Sequence, residues 1–300
     1  METKTVFFDY FEVWCHELGT DGDSLTERKF DLTTVLQSAS EMTPRQTMRK
    51  FRGEKARVQQ AKLANGLWEI QLLRLREKSL PGVAKDDGDF QIIKLEDGEY
   101  IGESNSLLYD KENFALVMQR NYNGFTPSGV EDYLSSVISP ESSIRRIILK
   151  PIIADSRLGI ISRDKIFRTL EIGVATGAGK KLESPSLNSM LSNFLKFEGA
   201  TYKVRISVGR AKRDTSLSPG LTVDTVKELY GDSSVTDLKI WLKDNEDIRA
   251  EKVDLLDDRR QDFVALLADR ENPITHDRVY LELERIYSKR KKENKIFDAK

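Results

Sequence analysis

Between residues 67 and 119 the chain passes through four short strand-like stretches: LWEIQLLRLR at 67–76, FQIIKL at 90–95, YIGESNSLLY at 100–109 and FALVMQ at 114–119. Polar or glycine-containing turns separate them, and the last three are joined by links of only four residues. A parallel crossover needs about a dozen residues or more, so links this short force an antiparallel meander. A further stretch at 4–16 mixes β-branched and aromatic residues and is expected to open the sheet.

Helical periodicity begins at Thr126-Pro127. Val130, Tyr133, Leu134, Val137 and Ile138 then fall at i, i+3, i+4, i+7 and i+8, the stripe of a helix that buries one face. Ser139-Pro140 ends that helix and marks a boundary. The second half repeats the mixture: strands at 144–153, 166–175, 202–208 and 237–243, helices around 187–195 and 223–230, a segment at 251–267, and a last helix capped by Thr275. Thr43-Pro44-Arg45-Gln46 reads as a capping box, predicting a basic helix over 45–62. The expected fold is therefore α+β, with an antiparallel sheet and flanking helices in each of two halves. The halves are an N-terminal domain over 1–139, with the basic helix and the meander, and a C-terminal domain over 144–300.

Charge is strongly segregated although the formal net charge is only −1. Residues 145–213 hold fifteen Lys and Arg against five Asp and Glu, and residues 214–284 hold nine against eighteen. Such a layout suits a partner with a charged surface, the DNA or RNA backbone first of all. Arg145, Arg146, Lys180, Lys181, Lys203, Arg205, Arg210, Lys212 and Arg213 are the candidate phosphate contacts. Few aromatics lie among them, so neither base readout nor a stacking platform is expected. Two other readings stay open: the basic and acidic blocks pair with each other inside the fold, or they steer a protein–protein contact, as an adaptor or a homo-oligomer.

Three motifs invite chemistry and answer weakly. Gly173 to Lys181 resembles a phosphate loop, but Val174 stands where a P-loop needs glycine, and Lys181 replaces the Mg²⁺-binding hydroxyl. Asp254, Asp257, Asp258 and Asp262 could hold Mg²⁺ for a nuclease, the third reading, but Arg259 and Arg260 beside them offer pairing instead. Only His16 and His276 are present, so no metal site, cofactor or catalytic set is expected; Cys15 and His16, as neighbours on a strand, face opposite ways. One cysteine precludes an internal disulfide, and neither a signal peptide nor an apolar run of membrane-spanning length is evident. Together these point to the cytoplasm.

The run Gly98 to Glu103, then Leu108-Tyr109-Asp110, Gln119-Arg120-Asn121 and Gly124, leading into the helix from Thr126 to Leu134, resembles a recurring block of an uncharacterised bacterial family. Some members of that family lie near mobile-element and phage-defence genes. The resemblance implies an accessory protein of such a system and assigns no catalytic residue. From the residues alone, Glu103, Tyr109, Arg120 and Asn121 form either a ligand site or a polar staple that fixes strand register.

Overall fold

β1 (Glu2–Leu18) is the longest strand, and it organises the first of two compact units. In the computed structural model every residue is described except 1, 21–23, 79, 154–156, 176–188, 190, 194, 198, 200, 231, 233, 257–258 and 298–300. The first unit comprises residues 1–149 with 261–289, the second 150–260 with 290–300. The fold is mostly antiparallel sheet, with four α-helices among the described residues, in keeping with an α+β class. No helix among those residues is long and apolar enough to cross a membrane.

In the first unit β1 pairs with β2 (Leu25–Lys29), β9 (Ala115–Gln119), β10 (Ile144–Pro151) and β15 (Gln261–Ala268). From β9 the sheet continues through β8 (Ile101–Asp110), β5 (Leu67–Arg76) and β4 (Glu54–Ala64) to β3 (Arg49–Phe51). Phe8 and Asp9 are opposed by β15 on one edge and β9 on the other, so two neighbours share the length of β1 on each side. The expected meander is present as β5–β8–β9. The stretch at 90–95 instead contributes β7 (Phe90–Ile92), which pairs with β6 (Gly82–Ala84) as a separate hairpin.

Alternation gives the sheet two buried faces. One carries Phe11, Val13, Cys15, Trp68, Ile70, Leu72, Leu107, Tyr109, Leu116 and Met118 beneath α1 (Thr33–Glu41) and α2 (Pro127–Val137). The opposite side chains, among them Tyr10, Glu69, Ser106 and Asp110, meet α4 (His276–Lys292). Thr126 caps α2 by accepting from the Gly129 N–H, with Pro127 behind it, as the sequence predicts. Cys15 is buried while the adjacent His16 lies toward Glu27 on the other face.

The basic helix expected at 45–62 is not formed; β3 and β4 occupy that stretch as a hairpin. Gln46 does reach back to Thr43, but the helical turn stops there. Arg52 and Gly53 both have positive φ, 47° and 81°, the geometry of a tight two-residue hairpin turn that a helix excludes. Ala56 and Val58 then point into the core at period two, and the basic side chains face outward.

At the far end of β1, Glu17 accepts from the Arg28 guanidinium and from Ser143 Oγ, linking β2 to the start of β10. These bonds hold its carboxyl down to about 2, from an ordinary 4.5. A depressed carboxyl stabilises the fold above its unfolded value and loses that contribution as pH falls through the folded one. Carboxyl NMR titration of Glu17 should show a midpoint near 2, rising toward 4.5 in Arg28→Ala.

The second unit holds a four-stranded antiparallel sheet in the order β12 (Thr201–Ser207), β11 (Ile166–Ala175), β13 (Val235–Lys243), β14 (Glu251–Asp254). Leu170, Ile172, Val174, Leu238, Ile240 and Val253 cover one face and pack with Val223, Val226 and Leu229 of α3 (Pro219–Tyr230). Of the helix expected around 187–195, positions 187, 188, 190 and 194 lie outside the described residues; Ser189 and Leu191 are helical, and Leu191 packs into this core.

Candidate functional site

The other face of the second unit's sheet carries the charge that the sequence singles out. The registers align Arg205, Glu171, Lys239 and Asp254 across the four strands, a row of alternating sign. Lys203 pairs with Glu171 at 2.9 Å and reaches Asp237, two strands away, at 3.2 Å. It passes over Gly173, where an added Cβ would lie 2.7 Å from the Asp237 Cβ. The hydrogen bonds that Lys203 donates to Glu171 and then to Asp237 raise its pKa. Trp241 stands in the next row, with Lys252 of that row and Arg205 of the Glu171 row 5.8 and 5.4 Å from its ring. Two further basic residues meet the acidic block within this unit: Arg163 with Asp224 at 3.1 Å, and Lys165 with Asp244.

The loop between β12 and α3 is built differently. Arg168 on β11 donates to three of its carbonyls, those of Lys212 at 2.6 Å, Thr215 at 2.7 Å and Ala211 at 3.1 Å. Ser207 Oγ accepts from the Gly209 N–H, and Gly209 takes φ +62° to begin the turn. Five guanidinium donors in a rigid plane suit such clamping of backbone carbonyls. Arg210, Lys212 and Arg213 are thereby presented to solvent, and none has an ion pair among the described residues.

The remaining candidates scatter. Arg145 donates to the Ser142 carbonyl, and Arg146 pairs with the buried Glu131. Lys180 and Lys181, with the rest of the glycine loop after Ala175, lie outside the described residues. Asp254 pairs with Lys239 in the second unit, and Asp262 accepts from Tyr10 in the first; Asp257 and Asp258 are not described.

Glu103, Tyr109, Arg120 and Asn121 are not gathered into one cluster. Glu103 pairs with Arg76 at 3.0 Å, and Arg120 forms a two-pronged pair with Asp9. The Tyr109 hydroxyl accepts from the Leu32 N–H and donates to Asp31, while Asn121 donates to the Ser104 carbonyl. Each meets a different partner.

A constellation that sequence reasoning missed lies under α4 in the first unit. Ser106 Oγ is 2.8 Å from His276 Nδ1, and Glu69 Oε1 is 3.0 Å from His276 Nε2. Gln60 Nε2 and Lys62 Nζ hold the two oxygens of Glu69, at 3.1 and 2.8 Å. Burial drives the His276 pKa down against the opposing pull of Glu69. Serine, imidazole and carboxylate in line resemble a hydrolytic triad, but Ser106 has no solvent exposure. A hydroxyl that no substrate reaches cannot attack one, so here the serine orients the imidazole. The one local signal was polar Ser104-Asn105-Ser106 inside an otherwise strand-like run, where both faces of the strand turn out to be buried.

No curated protein matches the chain. Its sequence matches a family of unknown function, DUF6731, over residues 1–295. With nearly the whole length covered, the chain belongs to the DUF6731 family.

Proposed function

We propose that this protein is a non-enzymatic, nucleic-acid-associating protein that contacts phosphates through the loop between β12 and α3. The observation that carries the reading is the Arg168 clamp, which fixes the loop backbone while Arg210, Lys212 and Arg213 face solvent. A cation already engaged by a carboxylate must give up that partner to take a phosphate; a solvent-facing one exchanges only water and counterions. The contact set therefore narrows to the loop triplet, with Lys252 beside Trp241 as a further exposed cation, while Arg205 keeps a long ion pair to Glu171 at 4.0 Å. Lys203 is set aside, because two carboxylates hold it. An accessory role in a bacterial phage-defence or mobile-element system, in the cytoplasm, belongs to the same proposal and rests on the resemblance of residues 98–134.

Fluorescence anisotropy with labelled single- and double-stranded oligonucleotides at low salt tests it. Arg210→Glu/Lys212→Glu/Arg213→Glu should weaken binding by at least ~10-fold and flatten the salt dependence by about 0.7–0.9 per lost contact. Lys203→Ala should change little. Absence of binding by the wild type, or equal binding by the triple variant, overturns the proposal.

The adaptor or oligomer reading draws support from elsewhere. β15 pairs only with β1 among the described residues and exposes Phe263 and Leu267, with Phe7 opposite Phe263. Self-association by light scattering without nucleic acid, abolished by Phe263→Lys, would favour that reading.

A further inference from the structure

We propose that Glu69, His276 and Asp277 form a binding site for one divalent first-row transition ion, with Zn²⁺ as its probe. One ligand atom from each residue lies within 4.8 Å of the others, so a modest turn of the exposed Asp277 side chain brings all three within reach of a single ion. The donor set, one imidazole and two carboxylates, suits Zn²⁺ and its neighbours better than Mg²⁺ or Ca²⁺, which favour all-oxygen shells.

An ion pair alone does not account for the geometry. Glu69 Oε1 is 3.0 Å from His276 Nε2, yet Nε2 makes no hydrogen bond, so the carboxylate sits off the axis of the ring nitrogen. The His276 side chain is only 5% exposed, which leaves a buried nitrogen with its in-plane direction unused. Such an atom is costly unless something occupies that direction. The Tyr280 hydroxyl, one helical turn along α4 with its ring 6.0 Å from that of His276, is likewise buried without a hydrogen-bond partner. A metal-bound water would give that phenol an acceptor or donor.

Each buried ligand already has the partner that a metal site requires. Ser106 Oγ meets His276 Nδ1, which leaves Nε2 as the ligating nitrogen once Nδ1 carries the proton. Lys62 occupies Glu69 Oε2, while Gln60 donates to Oε1 and orients that oxygen, which also faces the imidazole. Asp277 is exposed at the first turn of α4 and gives an ion its route in from solvent. Placing His276 and Asp277 next to each other on α4, and Glu69 on β5, would make the ion a clasp between helix and sheet within the first unit.

The test is isothermal titration of untagged, chelator-stripped full-length protein with ZnCl₂. Co²⁺ absorption serves as a second readout, since its visible bands report nitrogen and carboxylate ligation. One ion per chain is expected, removable by chelator. Affinity should fall at least ~10-fold in Asp277→Asn and further in His276→Gln, because losing even a supporting partner typically costs ~10–100-fold. Asp277 is exposed, so its variant decides the question should His276→Gln fail to fold. The absence of saturable binding, or binding and Co²⁺ bands unchanged in Asp277→Asn, overturns the proposal.

Discussion

Glu131→Ala should destabilise the first unit by about 3–5 kcal/mol, the cost of removing one partner from a buried ion pair. Glu131 is only 1% exposed and lies on α2, where nothing but its two oxygens justifies a carboxylate in the core. One oxygen accepts the Leu149 N–H at 2.9 Å, and the other meets the Arg146 guanidinium at 3.2 Å, so α2 is bonded to β10 through a single side chain. Ser135, one turn along α2, repeats the device by accepting the Ile147 N–H at 2.9 Å. Truncation leaves the Leu149 amide buried without its acceptor and takes the carboxylate from Arg146. Glu131→Gln keeps the shape and the amide's acceptor but loses the charge, and should cost about 1–3 kcal/mol. Urea unfolding with unchanged m-values would measure both. A loss below ~1 kcal/mol for Glu131→Ala would mean that water satisfies the amide, and would sink the argument.

Glu131 also illustrates what the sequence could show. The apolar stripe of α2 was legible because Val130, Tyr133 and Leu134 face one core at helical spacing. Glu131, between them, reads as a solvent-facing residue, since its partners Arg146 and Leu149 are fixed only when β10 docks. β5 and β11 were legible to the residue, each an unbroken β-type run closed by turns. The stretch 45–62 misled because its capping box is genuine but local. Gln46 does bond to Thr43, and the Arg52-Gly53 turn then overrides the helix by pairing β3 with β4. The same limit applies to function. Charge segregation was visible, but not that Lys203 would cross a glycine to find Asp237, nor that Arg168 would hold Arg210, Lys212 and Arg213 in a fixed loop. The histidine cluster was out of reach because Glu69, Ser106 and His276 meet only after the C-terminal helix joins a sheet built from the first half of the chain.

That docking is the subject of the second large effect: Tyr287→Ala should cost about 3–5 kcal/mol, and Tyr287→Phe about 1–3 kcal/mol. Tyr287 is fully buried near the end of α4, its ring stacked 6.4 Å from Tyr10 and its hydroxyl donating to Asp110 Oδ2 at 2.8 Å. Asp110 is itself fully buried at the end of β8 and accepts from Asn113 Nδ2 and the Glu112 N–H. Burial and the neighbouring carboxylate push the Tyr287 hydroxyl far above its usual range, which favours its protonated, donating form. Removing the hydroxyl takes one donor from a carboxylate that keeps its charge; removing the ring also opens a cavity beside Tyr10. The two variants therefore separate the polar contribution from the packing one. α4 is the last helix of the first unit and is held near its start by His276 and near its end by Tyr287. Loss of the second hold should free the helix before the sheet melts. Limited proteolysis of Tyr287→Ala under native conditions should then cut first within 276–292 and leave β1–β10 protected. Simultaneous loss of sheet and helix would mean that α4 is part of the sheet's own cooperative unit. In that case Tyr287→Ala should lower the unfolding midpoint without any early cleavage.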